Sequence, residues 1–270
     1  MPHANNRPLI IAHRGSSHRA PENTMSAFEL AVSEGAEGIE MDVRVTRDGV
    51  PVVFHDASLK RMMGKETRVS VLDASDLARV DVGGWFNRRF PKRAKQEYSK
   101  TGVPTLVEAL ALLEGFSGPV YLEIKCQAHD AERTVSSVCS EIERSRRPKG
   151  LIVKSFVPDV LPLFKARCEG VSTAALFAPK VMSIIRKEKR LVNIASDLGA
   201  DALSLHFSLA TKKLMKRARK AGLGVAVWTV DNPRWMRRAL ELGLDAVITN
   251  KPAKMLLRRR ELLHRNSITA

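Results

Sequence analysis

The stretch GIEMDVRVTRDGVPVVFHD, residues 38–56, decides the fold. Its first half alternates the apolar residues Ile39, Met41 and Val43 with charged ones, which is the two-residue period of a β-strand. The Asp-Gly pair at 48–49 then leaves room only for a tight turn, and tight turns connect antiparallel neighbours. The almost continuously apolar VPVVFHD that follows is therefore predicted to fold back on the first strand as the second arm of a hairpin.

Eight segments, of which GIEMDV is the second, have the apolar composition of buried parallel strands, and a helix-like stretch follows each of them. Eight βα units in about 250 residues are typical of a closed (β/α)8 TIM barrel. A doubly wound open sheet is the alternative, but it usually has fewer strands and a glycine-rich GxGxxG turn, which this sequence lacks. The strands are predicted to start near residues 9, 38, 120, 151, 173, 201, 224 and 245.

The long second interval predicts a small insertion, residues 57–104, within a single domain that spans residues 1–270. Because the hairpin runs out past the carboxyl end of the second strand, the insertion is expected to emerge above the barrel. Two interpretations stay open, a cap over the barrel mouth and a merely solvated excursion. The aromatic residues of the insertion are Trp85, Phe86, Phe90 and Tyr98.

The charge of the chain is strongly positive, formally +16, with 45 Lys and Arg against 29 Asp and Glu. An anionic partner would explain it, and so would a solvated basic surface. The basic residues are spread along the chain, are not interleaved with aromatics and accompany no known nucleic-acid-binding signature. We therefore favour the solvated surface and expect no specific nucleic-acid partner.

The compartment is predicted from what the sequence lacks. No run approaches the ~18 consecutive apolar residues of a membrane span, and the first residues, MPHANNRP, have no hydrophobic signal-peptide core. Cys126, Cys139 and Cys168 form no CxxC pair and are predicted to be free thiols in a reducing compartment. We expect a cytoplasmic protein without a membrane span.

Charged residues on two strands are predicted to face the barrel axis. If the apolar faces pack on helices, Glu40 and Asp42 of GIEMDV point inward, as do Glu123 and Lys125 of VYLEIK. Three buried carboxylates in one confined mouth repel one another, and a hard divalent cation, Mg²⁺ or Ca²⁺, would resolve that repulsion. A salt-bridge network through Lys125 is the alternative.

Two histidines and an arginine stand at the ends of adjacent segments. His13 and Arg14 follow the first strand, and His55 follows the apolar hairpin arm. A guanidinium suits a phosphate oxygen pair, and two imidazoles suit acid–base exchange near neutral pH. Trp228 is either a substrate wall or part of the core, and His206 is expected to be structural.

The motifs, taken together, identify a family. The chain resembles the glycerophosphodiester phosphodiesterases over nearly its whole length, which implies a TIM barrel with a small insertion after the second strand. It also implies hydrolysis of glycerophosphodiesters to glycerol 3-phosphate and an alcohol. The motifs, in order, are HRG at 13–15, PENT at 21–24, the opening stretch at 38–56, LEIK at 122–125, VKSF, VWTVDN at 227–232 and DAVITNKP.

The resemblance also implies roles for individual residues. His13 and His55 match the family's catalytic acid–base pair, Arg14 and Lys125 its phosphate-contacting cations, and Trp228 its aromatic substrate wall. The implied ligands of one divalent cation, Mg²⁺ or Ca²⁺, are Glu40, Asp42 and Glu123.

Two departures from the family pattern are RMMG at 61–64 and Asn250, which stands where an acidic residue is frequent. Neither is expected to touch the site. Two alternatives stay open: a lysophospholipase D-like phosphodiesterase, and a catalytically silent barrel that binds phosphate or nucleic acid. Also open are the head-group alcohol, the nucleophile (water or the glycerol 2-hydroxyl), the histidine that is the acid, and the oligomeric state.

Overall fold

The computed structural model describes residues 7–145, 150–179 and 188–268. The strands of this part of the chain are β1 (Leu9–His13), β2 (Gly38–Val45), β3 (Pro51–Val53), β4 (Val120–Ile124), β5 (Leu151–Ser155), β6 (Ser172–Phe177), β7 (Ala202–His206), β8 (Gly224–Trp228) and β9 (Ala246–Thr249). Its α-helices are α1 (Met25–Ser33), α2 (Lys60–Met63), α3 (Ala74–Ala78), α4 (Val82–Arg89), α5 (Leu106–Leu112), α6 (Ala131–Arg144), α7 (Val160–Arg167), α8 (Glu188–Asp197), α9 (Lys212–Lys220), α10 (Trp235–Leu242) and α11 (Pro252–Ile268).

Eight parallel strands close into a barrel. β1 pairs in parallel with both β2 and β9, and the remaining order is β2-β4-β5-β6-β7-β8-β9. Because the sheet returns to its first strand, the eight strands have no free edge. The predicted (β/α)8 TIM barrel is confirmed, and the open-sheet alternative is wrong.

The hairpin predicted from the opening stretch is also present. β3 runs antiparallel to β2, with Val43 opposite Val53, while β2 pairs with β4 only as far as Val43. β2 therefore continues beyond the barrel as a hairpin arm. Gly49 in the turn has φ of 84°, a left-handed conformation that glycine adopts without a steric penalty.

The two faces of each strand pack differently. Ile39, Met41 and Val43 are fully buried on the outer face of β2, in the layer that contacts the helices. An apolar cluster fills the lower interior of the barrel, and the charged residues described below lie above it at the carboxyl ends of the strands. The buried members of that cluster are Ile11, Tyr121, Ala226, Ala246 and Ile248.

The insertion has a small core of its own, to which Leu77, Val82 and Val103 contribute together with residues of the hairpin. It also contacts the loop that follows β1, because the Tyr98 hydroxyl donates a hydrogen bond to the Arg19 carbonyl at 3.2 Å. The insertion is therefore packed against the mouth of the barrel on the β1 side. No helix among the described residues is long and apolar enough to cross a membrane.

Candidate active site

Three carboxylates meet at the carboxyl ends of β2 and β4. Asp42 and Glu123 are register partners, and Glu40 lies on the same inward face of β2. One oxygen from each of the three lies within 4.8 Å of the others, and all three residues are buried. The predicted inward orientation of these residues is what the structure has. Such a cluster is stable only if positive charge balances it.

Lys154 supplies part of that charge, and sequence reasoning missed it. It is the register partner of Glu123 on β5, and its side chain is only 1% exposed. Its Nζ lies 2.8 Å from Glu40 Oε1 and 3.0 Å from Glu123 Oε2. Burial alone would lower the pKa of Lys154, but the two carboxylates raise it. The signal was available, since Lys154 interrupts an otherwise apolar strand.

Lys125 and Arg14 supply the remaining positive charge that balances the carboxylates. The Lys125 ammonium contacts Glu123 and lies 3.2 Å from Asp42 Oδ1, while Arg14 Nε lies 2.9 Å from Asp42 Oδ2. Burial alone would raise the pKa of Asp42, but the charge of Arg14 and then of Lys125 lowers it. Three cations thus stand against three carboxylates, so the salt-bridge alternative describes part of the site.

The donor set nevertheless fits a divalent cation. Glu40 Oε1 and Asp42 Oδ1 are fully buried, and the polar groups nearest to them are the ammonium groups of Lys154 at 2.8 Å and of Lys125 at 3.2 Å. Buried carboxylate oxygens with free lone pairs are the ligands that Mg²⁺ and Ca²⁺ prefer. The ion-pair network therefore surrounds a potential ligand set without saturating it.

A sharp turn brings Arg14 into the site. Gly15 has φ of 78°, and a Cβ there would lie 2.5 Å from the carbonyl carbon of Ala27, so only glycine fits. Arg14 donates its backbone N–H to Glu40 Oε2 at 3.1 Å and its Nη1–H to Glu22 Oε1 at 2.9 Å. Glu22 therefore orients this guanidinium.

Asn23 and Thr24, which follow Glu22, have different roles: Thr24 caps a helix and Asn23 positions Asp42. Thr24 is the N-cap of α1, and its side chain accepts a hydrogen bond from the backbone N–H of Ala27. The Asn23 amide instead pairs with Asp42: Nδ2 donates to Oδ2 at 2.9 Å, and Oδ1 accepts from the Asp42 backbone N–H at 3.2 Å. Asn23 therefore fixes the orientation of a candidate metal ligand.

His13 is held in one tautomer by Asn250. Asn250 donates Nδ2–H to Asp231 Oδ2 at 2.7 Å, which leaves its Oδ1 to accept from His13 Nδ1 at 2.7 Å. His13 Nε2 is then the nitrogen with the free lone pair, and it lies 3.8 Å from Glu40 Oε2. Burial lowers the pKa of His13. The expectation that Asn250 does not touch the site is wrong, because the register of β1 beside β9 brings it to the histidine.

His55 has a different partner. Its Nδ1 shares a hydrogen bond of 2.8 Å with Asp56 Oδ1, and Asp56 Oδ2 accepts from Arg61 Nε at 2.6 Å. Burial alone would raise the pKa of Asp56, but the hydrogen bonds from His55 and Arg61 lower it. Arg61 lies in the RMMG segment, so this departure also reaches the site through its contact with Asp56.

Both histidines lie near the carboxylate cluster. His13 Nε2 is 3.8 Å from Glu40 Oε2. After Arg14 and Lys125, the charges of His55 and His13 lower the pKa of Asp42.

An aromatic wall, formed by Trp228, Phe156 and His206, stands at the carboxyl ends of β8, β5 and β7. The Trp228 ring lies edge-on to Phe156 at 5.9 Å between centroids and to His206 at 5.6 Å. His206 Nδ1 bonds to the Ser208 hydroxyl at 2.8 Å, so His206 supports the wall. Phe156 is 44% exposed and was not singled out from the sequence, although it ends the VKSF motif and directly follows β5.

Comparison with known proteins agrees with this geometry. The chain matches the model of the glycerophosphoryl diester phosphodiesterase family over residues 13–254. It is 29% identical to a glycerophosphodiester phosphodiesterase of Bacillus subtilis, with 91% of this chain and 84% of that one covered. It is 28% identical to a glycerophosphodiester phosphodiesterase of Caldanaerobacter subterraneus, with 93% and 97% covered.

A solved structure is similar in both sequence and fold. The Oleispira antarctica phosphodiesterase, determined in complex with the product sn-glycerol-3-phosphate, superposes with a TM-score of 0.80 at 27% identity. The similarity covers 93% of this chain and 96% of that one.

Proposed function

The chain belongs to the glycerophosphoryl diester phosphodiesterase family, and on that premise we propose that it hydrolyses glycerophosphodiesters to sn-glycerol 3-phosphate and an alcohol. The observation that carries this proposal is a pair of histidines facing one buried cluster of carboxylates and cations. His13 is oriented by Asn250 and His55 by Asp56. A silent binding barrel would need neither tautomer to be set.

The phosphate is bound by positive charge at the centre of the site. Glu40, Asp42 and Glu123 would hold one divalent cation, Mg²⁺ or Ca²⁺, which when bound polarises a phosphoryl oxygen. Arg14 and Lys125, both at the edge of this cluster, are placed to stabilise negative charge on the other phosphoryl oxygens.

His13 is the general base in this proposal. Its Nδ1–H is engaged by Asn250, and its lowered pKa keeps the ring neutral, so Nε2 can accept a proton. The proton comes from the entering oxygen, which is either a water or the 2-hydroxyl of the glycerol moiety. Removing it makes that oxygen a better nucleophile toward phosphorus.

His55 is the general acid. The Asp56 carboxylate accepts the hydrogen bond from its Nδ1, which orients the ring and leaves Nε2 as the nitrogen that can deliver a proton. That proton goes to the oxygen of the departing alcohol, which leaves poorly as an alkoxide. An in-line displacement needs the base and the acid at opposite sides of the phosphorus.

Trp228 and Phe156 make an apolar surface against which the carbon skeleton of the glycerol moiety can pack. The residues 57–104 would act as a cap that belongs to the same single domain, residues 1–270. We place the protein in the cytoplasm, in keeping with three cysteines that form no disulfide. Its partner is a small-molecule diester and no specific nucleic acid.

The test is a screen of glycerophosphodiesters with coupled detection of sn-glycerol 3-phosphate, run with and without a chelator. We expect release that stops in excess EDTA and returns with Mg²⁺ or Ca²⁺. The variants His13→Ala and His55→Ala are the controls, and they should release little sn-glycerol 3-phosphate. Release from lysophospholipids alone would favour the lysophospholipase D-like alternative, and no release from any diester would refute the proposal. Full activity in excess EDTA would refute its metal dependence.

A further inference from the structure

A cationic cavity adjoins the candidate active site. It has a volume of about 270 Å³ and lies between the carboxyl ends of β2, β4 and β5 and the start of the insertion. Asp130 is the single carboxylate among the residues that line it, and it stands beside His129 at 3.2 Å. The cationic residues of the lining are Arg44, Arg68, Lys125 and Arg133.

The three arginines have no carboxylate partner. Across residues 7–145, 150–179 and 188–268, no carboxylate oxygen lies within 4.0 Å of the guanidinium of Arg44, Arg68 or Arg133. Most arginines near them are paired; Arg47, for example, contacts Asp73 at 2.5 Å. Arg44 is half-buried, and Arg68 and Arg133 are exposed at the rim of the cavity, so an anion that enters it meets three guanidinium groups with no carboxylate of the described chain within ion-pair distance.

Two of these arginines are nevertheless held in place by backbone carbonyls. Arg44 donates from Nε to the His55 carbonyl at 2.9 Å, and Arg133 donates from Nη2 to the Arg47 carbonyl at 2.9 Å. Burial lowers the pKa of Arg44, the charges of Asp42 and Asp56 raise it in part, and the charge of Arg68 lowers it again. Positive charge is thus concentrated at this wall and oriented before any ligand arrives.

The cavity is continuous with the place where the phosphate would bind. Lys125 lines it, and the Nζ of Lys125 lies 3.2 Å from Asp42 Oδ1 in the carboxylate cluster. Phe156 also lines it and separates it from the Trp228 wall. A diester with its glycerol arm on Trp228 would therefore direct its second arm toward the arginines.

We propose that this cavity is a subsite for an anionic group on the alcohol arm of the substrate. It rests on the proposed function and specifies it: diesters whose second alcohol carries a phosphate or phosphodiester are preferred over those with a cationic head group. A guanidinium binds phosphate oxygens in a bidentate fork, and it repels a quaternary ammonium. The volume of about 270 Å³ is sufficient for a group of phosphate size.

The test compares glycerophosphocholine with 1,3-bis(glycerophospho)glycerol, using the metal-loaded full-length enzyme. We expect kcat/KM to be at least tenfold higher for the bis-diester, with the preference falling as salt is raised. Arg68→Met and Arg133→Met should each lower kcat/KM for the bis-diester about tenfold more than for the choline diester, mainly through KM. Arg79→Met, an exposed arginine of the insertion that pairs with Asp76, is the charge-matched control and should leave the ratio unchanged.

Equal kcat/KM values for the two diesters would refute the subsite, and so would an equal ratio of these values in Arg68→Met and Arg79→Met. Neither result would contradict the proposed phosphodiesterase activity. Calorimetric binding of the bis-diester to His13→Ala tests the subsite without turnover. There Arg68→Met should weaken binding about tenfold. Unchanged binding would refute the subsite, whereas binding by an enzyme that turns over no diester would refute only the proposed function.

Discussion

Lys154 and Glu123 are register partners on adjacent strands, and their side chains meet inside the barrel with Nζ 3.0 Å from Oε2. The same ammonium lies 2.8 Å from Glu40 Oε1, so one buried lysine bridges two candidate metal ligands. Lys154 is thus a permanent counter-charge in the chain, and it competes with a divalent cation for the same carboxylates.

Replacing Lys154 should have opposite effects on the stability of the metal-free protein and on its affinity for a divalent cation. Lys154→Met should destabilise the metal-free protein by ~3–5 kcal/mol, because two buried carboxylates lose a partner. It should also tighten Mg²⁺ or Ca²⁺ binding, since the metal then becomes the main counter-charge. The measurement is thermal unfolding with and without each metal, and the metal-induced rise in Tm should exceed that of the unchanged protein. Lys165→Met, which removes an exposed pair with Asp201, is the control. Equal metal-induced rises in the two variants would contradict the prediction.

The Asn250 contact should determine the acid limb of the pH profile. Burial lowers the pKa of His13 below its ordinary value of 6.5, and a base is lost as pH falls through its pKa. The acid limb of kcat/KM should therefore lie below pH 6.5. Asn250→Asp places a carboxylate on Nδ1, which raises the pKa of His13 and moves the limb to higher pH. Asn250→Ala should lower kcat about 10- to 100-fold through loss of the tautomer. A limb at the same pH in Asn250→Asp would argue against His13 as the base.

The division of labour between the histidines is testable with the leaving group. Either His→Ala change should cost ~10²–10⁴-fold with a natural diester. A nitrophenyl ester of glycerol phosphate needs little protonation of its leaving group. Its hydrolysis by His55→Ala should therefore approach the rate of the unchanged enzyme, whereas its hydrolysis by His13→Ala should stay slow. The substrate must keep the glycerol moiety, because its 2-hydroxyl is one candidate nucleophile. A transient cyclic glycerol phosphate in phosphorus NMR would identify that route. Rescue of His13→Ala alone would make His13 the acid and His55 the base. Equal rescue of both variants, or of neither, would refute divided acid and base roles.

A partly buried ion pair at the other end of the barrel should stabilise the fold at neutral pH and lose that contribution at low pH. Arg259 on α11 donates to Glu37 Oε1 at 2.7 Å and to the Pro8 carbonyl at 2.6 Å, and Glu37 Oε2 accepts from the Ile10 backbone N–H at 3.0 Å. Arg259→Met should cost about 2–4 kcal/mol in the free energy of unfolding, measured with urea. Arg258→Met, next in sequence, removes only a surface pair with Glu261 and should cost less than about 1 kcal/mol.

The pH dependence of that pair has a definite sign. Burial alone would raise the pKa of Glu37, but the hydrogen bonds from Arg259 and Ile10 lower it below 4.5. A carboxyl with a depressed pKa stabilises the fold above its unfolded pKa, and that stabilisation is lost as pH falls through the folded value. The stability gap between the unchanged protein and Arg259→Met should therefore narrow below pH 4.5. A constant gap down to pH 3 would contradict this account.

The sequence by itself determined the barrel and the direction of its charges. Strand alternation in residues 38–45 placed Glu40 and Asp42 on the inward face, because only the opposite, apolar face can pack on helices. The Asp-Gly turn predicted the antiparallel arm, because a two-residue connection can join only antiparallel strands and a parallel partner needs a long crossover. Both inferences rest on local periodicity, which a chain carries in its own residue order.

Only the tertiary structure decided which side chains complete the site. Asn250 meets His13 across 237 residues because β9 lies beside β1, and Lys154 meets Glu123 because β5 lies beside β4. Asn23 pairs with Asp42, since the turn at Arg14 and Gly15 carries it over the barrel mouth. Contacts of this kind depend on strand register and loop path, and no local pattern encodes either, because each is set by how the whole barrel closes.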